Sequence, residues 1–246
     1  MEQTPGGSAS TNAMRSFWDR RARENPMWFV HSTLDYAHPD SDEFWRSGEE
    51  TLDRTLEPFD VQVTRRDRVL DVGCGVGRIT RALAQRAESV VGLDVSKEMV
   101  SHAATNLAGL DNVEVVLGNG RDLSPIPDAS VDVAYSFLVF LHVPDPAVTC
   151  NYIAEMGRVL RPGGWTLFHV SEDPAAHLPE NRPDPGLADR LRAALRRRPR
   201  GTKEAQWVGA AVDRADVLDA LRRGGLELEA SVGDGTLYCL LYARRQ

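Results

Sequence analysis

The sequence predicts an α/β fold built on a mostly parallel sheet, and three observations support this. From Arg68 onward, short β-branched runs alternate with segments of helical period, which is the order typical of βαβ units. A run with the pattern of a buried strand, Val69 to Val72, passes directly into a glycine-rich turn and then into a helical pattern. A second strand pattern ends in a carboxylate, Asp94, 21 residues after Gly73.

Apolar periodicity and glycine or proline breaks set the bounds of the elements. The predicted strands are residues 68–72, 89–94, 113–117, 131–137, 165–170, 226–232 and 236–242. The predicted helices are residues 77–87, 97–107, 148–160, 187–197 and 214–223, with Ser96 as the N-cap of the second. A tight turn, Gly233-Asp234-Gly235, joins the last two strands as an antiparallel hairpin. Seven strands are therefore expected, with six running one way and the last reversed.

The segment before the sheet is rich in aromatic residues. Residues 14–60, here called the lead-in segment, hold eight of the chain's 17 Phe, Trp and Tyr residues. We interpret the segment as a helical lid in which Phe17, Trp18 and Trp28 provide apolar cover; ordinary packing of accessory helices on the sheet is the alternative. Residues 1–13 have neither a basic nor a long apolar stretch, so we expect a disordered tail and not a signal peptide.

Composition excludes several classes of protein. The 246 residues, 42% of them hydrophobic, suffice for one large domain, and no run approaches the roughly 18 apolar residues of a membrane span. The net charge of −7 argues against a nucleic-acid partner. The three cysteines, Cys74, Cys150 and Cys239, are far apart, so neither a disulfide framework nor a metal site is expected. We expect a cytoplasmic protein, and the preference for arginine over lysine suggests a bacterial one.

The glycine-rich turn carries the strongest functional signal. Gly73, Gly75 and Gly77 allow a sharp turn and a close approach of the backbone to a ligand, while the following helix offers free N–H groups to a negative group. Asp94 lies where nucleotide-binding βαβ folds place a carboxylate that binds a ribose diol. Arg78 stands where the dinucleotide fingerprint needs a third glycine, which argues against NAD.

Together, Asp71-Val72-Gly73-Cys74-Gly75-Val76-Gly77 and Asp94 resemble the class I S-adenosylmethionine-dependent methyltransferases, a likeness that extends from about Arg68 to Arg244. The resemblance implies a Rossmann-like domain over residues 61–246, with S-adenosyl-L-methionine as cofactor and S-adenosyl-L-homocysteine as product. Asn119 and Gly120 match the family's adenine contacts, although Asp is usual at 119; an amide oxygen still accepts from an amine. The cofactor contacts expected in all are Trp18, Asp71, Gly73, Cys74, Gly75, Gly77, Asp94, Val95, Asn119, Gly120, Arg121, Ser136 and Phe137.

A sulfonium methyl group is already activated, so the expected tasks are to orient the acceptor, exclude water and remove a proton where needed. Two histidines that follow or end strands are the candidate catalytic bases: His142 first, and His169, with Glu172, second. A structural role in a turn or strand is the alternative for each. Asp173 is also expected near the acceptor, and His31 reaches the site if the lead-in segment folds over it.

Residues 173–206 are expected to form an acceptor-side insertion. Its cluster Arg196 to Arg200 either recognises an anion or ends a solvated helix.

The expected function is methyl transfer to an oxygen or nitrogen of a small molecule, such as a secondary metabolite, by in-line displacement. The alternatives are a protein of this fold that binds the cofactor but catalyses another reaction or acts as a binding subunit, and an RNA methyltransferase. The sequence leaves the oligomeric state open.

Overall fold

The computed structural model describes the backbone of residues 5–178 and 199–246, and their side chains from residue 11 onward. The strands are β1 (Arg68–Val72), β2 (Ser89–Asp94), β3 (Val113–Leu117), β4 (Val131–Ser136), β5 (Leu160–Val170), β6 (Leu226–Val232) and β7 (Cys239–Arg245). The α-helices are α1 (Pro5–Glu24), α2 (Pro26–Val30), α3 (Ser41–Leu56), α4 (Arg78–Ala84), α5 (Lys97–Asn106), α6 (Pro146–Val159), α7 (Ala205–Val208) and α8 (Arg214–Arg223). Short 3-10 helices span Glu57–Phe59, Phe140–His142 and Pro174–His177.

The seven strands form one sheet in the order β3-β2-β1-β4-β5-β7-β6. Strands β1 to β5 pair in parallel, and β7 lies antiparallel to both β5 and β6. Six strands therefore run one way and β7 the other, which confirms the predicted fold class. The final hairpin also forms, because the turn at Gly233 delivers β7 into the space between β5 and β6.

Helices cover both faces of the sheet. Successive residues of a strand point to opposite faces, so Val69 and Leu70 enter different hydrophobic cores. On one face, Leu52 of α3 and Leu83 of α4 pack against the sheet. On the other, the covering residues come from α6 and α8.

Two predicted strand starts differ from the structure. β5 begins at Leu160, which pairs with Val131, and Gly163 with its positive φ of 79° lets the chain turn within the strand. β7 begins at Cys239 because Thr236 still belongs to the turn, where its N–H donates to the Gly233 carbonyl at 3.1 Å. The predicted helix 187–197 lies outside the described residues.

The expectation of a disordered tail through Ala13 is wrong for the residues that the structure describes, since α1 already begins at Pro5. The physical reason is burial: Thr11 is 4% exposed and lies so close to Gly120 that a Cβ there would meet it at 2.7 Å. One turn later, Arg15 donates to the carbonyl oxygens of Val95 (3.2 Å) and Gly118 (3.3 Å). Helix α1 therefore lies across the carboxyl ends of β2 and β3.

Helix α3 is fixed against the glycine turn by polar contacts. The guanidinium of Arg78 donates to the Ser47 carbonyl (3.0 Å) and to the hydroxyls of Ser47 and Thr51 (both 3.1 Å). A Cβ added to Gly48 would come within 2.5 Å of the Arg78 carbonyl oxygen, so glycine permits this close approach. The lead-in segment is thus anchored by α1 at the carboxyl ends of β2 and β3 and by α3 at the start of α4. Among the described residues, no helix has the length and apolar character needed to cross a membrane.

Candidate active site

A cavity of about 770 Å³ opens at the carboxyl ends of the parallel strands, a size typical of sites for small ligands. Its sheet side is formed by the ends of β1 and β2 and by the loops after β3 and β4. Its other side is formed by the lead-in segment, which contributes Met14, Trp18, Phe29, Val30, His31, Ser32, Thr33, Ser47, Glu50, Thr51 and Arg54. Ligands of open α/β sheets bind at this edge, and the sequence placed the expected site there.

The glycine turn forms a narrow cradle in the cavity wall. Gly73 and Gly75 both have positive φ, 78° and 55°, and both line the cavity. A Cβ on Gly73 would come within 2.3 Å of the Val139 side chain, and one on Gly75 within 2.9 Å of Val30. The turn is held by the N–H of Gly73, which donates to the Leu93 carbonyl at 2.7 Å. Glycine is therefore required at both positions, because Val139 and Val30 occupy the space that a Cβ would need.

Asp94 is the acidic side chain at the centre of this wall. It is 8% exposed, and each carboxylate oxygen accepts one backbone N–H: Oδ2 from Gly75 at 2.9 Å and Oδ1 from Ser96 at 2.8 Å. Burial raises its pKa to about 6, although these hydrogen bonds act in the opposite direction. Asp94 thus keeps acceptor capacity on both oxygens, which suits a pair of neighbouring hydroxyls.

Four residues expected at the cofactor support the turn instead and do not line the cavity. Asp71 is 3% exposed and accepts the Thr80 hydroxyl at 2.6 Å, and burial raises its pKa to about 6. The Ser136 hydroxyl donates to the Val72 carbonyl at 3.0 Å. Cys74 is buried, and Gly77 closely approaches the side chain of Leu107.

The loop after β3 places Gly120 in the cavity wall, but not Asn119 or Arg121. The Asn119 amide oxygen accepts the backbone N–H groups of Arg121 (2.7 Å) and Asp122 (3.1 Å), and its amide nitrogen donates to the Asp122 carboxylate at 2.6 Å. Asn119 therefore shapes the loop with the same oxygen that was expected to face an adenine amine. Val95 lines the cavity beside Gly120, as do Met99 and Tyr152, which the sequence did not single out.

His142 lines the cavity, held by the backbone of α7. Its Nδ1 lies 2.6 Å from the Trp207 carbonyl oxygen. A carbonyl oxygen can only accept, so Nδ1 carries the proton and the neutral ring has its lone pair on Nε2. Burial lowers the pKa of His142, so the ring is neutral near pH 7. A base with these properties accepts a proton from a hydroxyl or an ammonium group.

The structure does not bring His169 to the cavity. His169 is 7% exposed, and its ring packs on Phe137, which does line the cavity, at a centroid distance of 4.8 Å. Burial lowers its pKa to about 4. The expected pairing with Glu172 is absent because Glu172 binds Arg214 at 2.9 Å and the N–H of Gly235 at 2.7 Å.

Asp173 also turns away from the acceptor region, since its carboxylate caps a 3-10 helix by accepting the N–H of Ala175. One acidic cluster near it has the composition of a metal site: ligand atoms of Glu172, Asp234 and Cys239 lie within 4.8 Å of one another. The guanidinium of Arg214 contacts all three, at 2.9, 3.3 and 3.5 Å. A side-chain cation thus already neutralises the cluster.

Sequence analysis did not predict the aromatic wall around His142. Trp207 stacks on Trp28 at 5.7 Å, and its ring centroid lies 4.8 Å from that of His142. Trp18 of α1 packs edge-on against His142, with their ring centroids 5.4 Å apart. Trp207 follows the Pro- and Arg-rich insertion, where no periodic pattern marks it. His31 does reach the cavity, and the further lining residues that sequence reasoning missed include Arg54, Arg78, His177 and Tyr238.

The described end of the insertion covers the cavity together with α1. Glu204 pairs with Arg20 at 2.9 Å, and the N–H of Arg200 donates to Glu24 at 2.9 Å. The Arg21 guanidinium donates to the Arg200 carbonyl and lies over the ring of Phe17. Residues 196–198 of the predicted arginine cluster lie outside the described residues.

Comparisons with known proteins agree with this geometry. A family model described as a methyltransferase domain matches residues 70–168. A probable S-adenosylmethionine-dependent methyltransferase of Mycolicibacterium smegmatis is 42% identical over 103 residues, which is 42% of this chain and 37% of that protein. A ubiquinone biosynthesis O-methyltransferase of Thiobacillus denitrificans is 33% identical over 102 residues, 41% of this chain and 43% of that protein. The chain thus spans less than half the length of these curated relatives.

Solved structures extend the likeness to the whole fold. The geranyl diphosphate C-methyltransferase of Streptomyces coelicolor superposes with a TM-score of 0.61 over 100% of both chains, at 17% identity. A methyltransferase from Mesorhizobium loti superposes with a TM-score of 0.58 over 78% of this chain and 96% of that one, at 23% identity. At these identities the structures establish the fold, and the family model identifies the glycine turn and Asp94 region within it. Residues 70–168 therefore match a methyltransferase domain, within a fold that the chain shares with these S-adenosylmethionine-dependent methyltransferases.

Proposed function

We propose that the protein transfers the methyl group of S-adenosylmethionine to an oxygen or nitrogen atom of a small-molecule acceptor. The observation that carries the proposal is that one cavity joins the glycine cradle and Asp94 to the ring of His142. The glycine cradle and Asp94 suit a nucleoside cofactor, and His142 suits proton removal from an acceptor.

The residues present fit the cofactor of this family. Gly73 and Gly75 expose the backbone where its amino acid end would lie, and each oxygen of Asp94 keeps capacity for one ribose hydroxyl. Gly120 and Val95 line the cavity at the ends of β3 and β2, where we place the adenine ring. When bound, S-adenosylmethionine supplies a methyl group already activated by a sulfonium centre.

On the acceptor side, the protein's own residues position the acceptor and remove its proton. The Trp207 carbonyl fixes the tautomer of His142 and stabilises the imidazolium that forms when Nε2 takes a proton. Trp18 and Phe29 line the cavity and exclude water, and Trp28 stacks on Trp207 of the same wall, so we assign the lead-in segment the role of a lid over the reacting groups.

A small acceptor follows from this cover. The lead-in segment and residues 199–208 meet over the cavity, which leaves room for a compact molecule and not for an extended polymer. The net charge of −7 disfavours RNA as the acceptor. Two of the similar proteins carry names that refer to small molecules, ubiquinone and geranyl diphosphate.

The experiment is calorimetric titration with S-adenosylhomocysteine and S-adenosylmethionine, with NADH as comparator. We expect both sulfur nucleotides to bind and NADH to give no heat. A search for methyl acceptors, read out as S-adenosylhomocysteine formed, then identifies the acceptor class. Binding of NADH alone would refute the cofactor assignment, and cofactor binding without turnover on any small molecule would favour a binding protein or an RNA methyltransferase.

A matched pair of variants tests the cradle. Gly73 and Gly163 have nearly equal φ, 78° and 79°, so alanine strains the backbone equally at both. A Cβ at Gly73 meets Val139 at 2.3 Å, whereas one at Gly163 meets nothing within 4 Å. We expect Gly73→Ala to weaken S-adenosylhomocysteine binding by about tenfold or more, which is about 1.4 kcal/mol, and Gly163→Ala to leave it unchanged. Equal effects would mean that strain alone, and not the cradle, matters.

A further inference from the structure

The lid side of the cavity carries positive charge that the proposed reaction does not use. Arg54, in the last turn of α3, lines the cavity, and among the described residues no carboxylate lies within 4.0 Å of its guanidinium. Arg78, at the start of α4, lines the same region. Of the described residues that line the cavity, two carry carboxylates: Asp94, which belongs to the cofactor wall, and Glu50, whose ion-pair partner is Arg46 at 3.6 Å.

Arg78 is the more unusual of the two arginines because it is 3% exposed. Its Nη1 is fixed by Ser47 and Thr51, its buried Nε has no hydrogen-bond partner, and none of the described carboxylates forms an ion pair with it. Burial lowers its pKa to about 10, and among the charged groups around it Tyr135 and Asp71 raise the pKa while Arg54 lowers it. A buried guanidinium without a counter-ion is costly, and a bound anion would offset this cost.

Helix α3 places both arginines at one end of the cavity, because Arg78 donates to its Thr51 at 3.1 Å and Arg54 lies three residues further along the same helix. Burial lowers the pKa of His31, and the charges of Arg78 and Arg54 lower it further against the opposing effect of Glu50. Arg54 also lowers the pKa of His169, which lies at the end of β5. These directions agree with the place of Arg54 in the cavity wall.

We propose that the acceptor carries an anionic group, a carboxylate or a phosphate, which Arg54 and Arg78 bind at the lid end of the cavity. The inference rests on the proposed function, since it names the class of acceptor for the same site. Arg78 supplies a guanidinium held rigid by α3, and Arg54 supplies a second one that is free to adjust. Planar guanidinium groups match the paired oxygens of both anions. The anion then orients the acceptor so that its nucleophilic atom lies on the side of His142.

The test uses inorganic phosphate, acetate and the neutral analogue acetamide, each titrated into the full-length protein with and without S-adenosylhomocysteine. We expect one of the anions to bind and acetamide not to bind, with the preferred anion identifying phosphate or carboxylate as the acceptor group. Arg54→Gln is expected to weaken anion binding by about tenfold or more, while S-adenosylhomocysteine affinity stays the same. Arg222→Gln, which removes an exposed charge on α8, serves as the matched control.

The two hypotheses fail in different ways. If the wild-type protein does not bind S-adenosylhomocysteine, the proposed function is refuted. The anion titrations made without S-adenosylhomocysteine still report on the anion site. Anion binding that is absent, or that is equal in wild type and Arg54→Gln, overturns the inference. So does an equal loss of anion binding in Arg222→Gln, because it would show an effect of net charge alone. Arg54→Lys, which keeps the charge but not the planar fork, is expected to restore part of the affinity.

Discussion

The pH dependence of cofactor binding gives the sharpest test of Asp94. Each of its oxygens accepts one backbone N–H, so one acceptor position per oxygen is left for each ribose hydroxyl. Protonation converts one of these positions into a donor. We therefore expect S-adenosylhomocysteine to bind well to the ionised carboxylate and poorly to the neutral one.

The expected magnitude follows from the pKa of about 6 that burial gives this carboxyl group. At about pH 5 roughly one molecule in eleven is ionised, so affinity should fall about tenfold from its value near pH 8. The sign is fixed because acid removes the binding-competent form. Bound ribose hydroxyls favour the ionised form, so the same carboxyl group should have a lower pKa in the complex.

The assay is calorimetric titration with S-adenosylhomocysteine at several pH values, on the wild type and on Asp94→Asn. The amide removes the titration, so the variant should bind about tenfold or more weakly near pH 8, in line with a charged hydrogen bond of roughly 1.5–3 kcal/mol, and show little pH dependence. Asp71 also has a pKa raised by burial to about 6, and it is the competing explanation. A wild-type affinity that does not change with pH would refute the reasoning, and an unaltered slope in Asp94→Asn would assign it to Asp71.

Three further predictions concern catalysis, stability and the lead-in segment. His142→Gln should slow turnover by about 100-fold with little change in S-adenosylhomocysteine affinity, and normal single-turnover rates would exclude it as the base. The raised pKa of Asp71 means that folding stability present below about pH 4 is lost as pH rises through about 6, by up to about 3 kcal/mol. Urea unfolding should therefore show Asp71→Asn gaining stability relative to wild type between those pH values, and a constant difference would contradict this. Asp19 accepts the Ser96 hydroxyl at 2.7 Å and the Glu98 N–H at 3.2 Å, so Asp19→Ala should increase hydrogen exchange in α1 and weaken cofactor binding, whereas unchanged exchange would show that α1 is held by its apolar contacts.

The sheet and the cofactor wall could be predicted from sequence because their signals are local. The strand β1, the glycine turn and Asp94 follow one another in a short stretch, and the spacing between them is itself the signal. Ser96 likewise marks the start of α5, where its side chain accepts the N–H of Met99 at 3.1 Å. Local patterns of this kind are set by backbone geometry, which the chain cannot change by tertiary packing.

The acceptor side could not be predicted in the same way because its residues meet through distant contacts. Arg54 looks like any charge on an amphipathic helix, and Trp207 lies 179 residues from Trp28, on which it stacks. His169 shows the limit of the strand-end rule: it lies one residue before the end of β5, but its side chain is buried against Phe137 beside the cavity. The sequence predicts which residues lie at the carboxyl edge of the sheet, whereas tertiary packing decides which of their side chains enter the cavity.

The contacts between α1 and residues 199–208 have a consequence for biosynthesis. Arg20 and Glu204 are 184 positions apart, and Arg21 and Arg200 are 179 apart. During translation α1 leaves the ribosome long before these partners exist, and its buried residues, such as Phe17, then have no complete cover. Contacts of such sequence separation form late because the loop they close is long. The nascent chain thus presents the buried apolar residues of α1 without part of their cover until residues 199–208 are synthesised, which makes α1 the expected site of chaperone engagement.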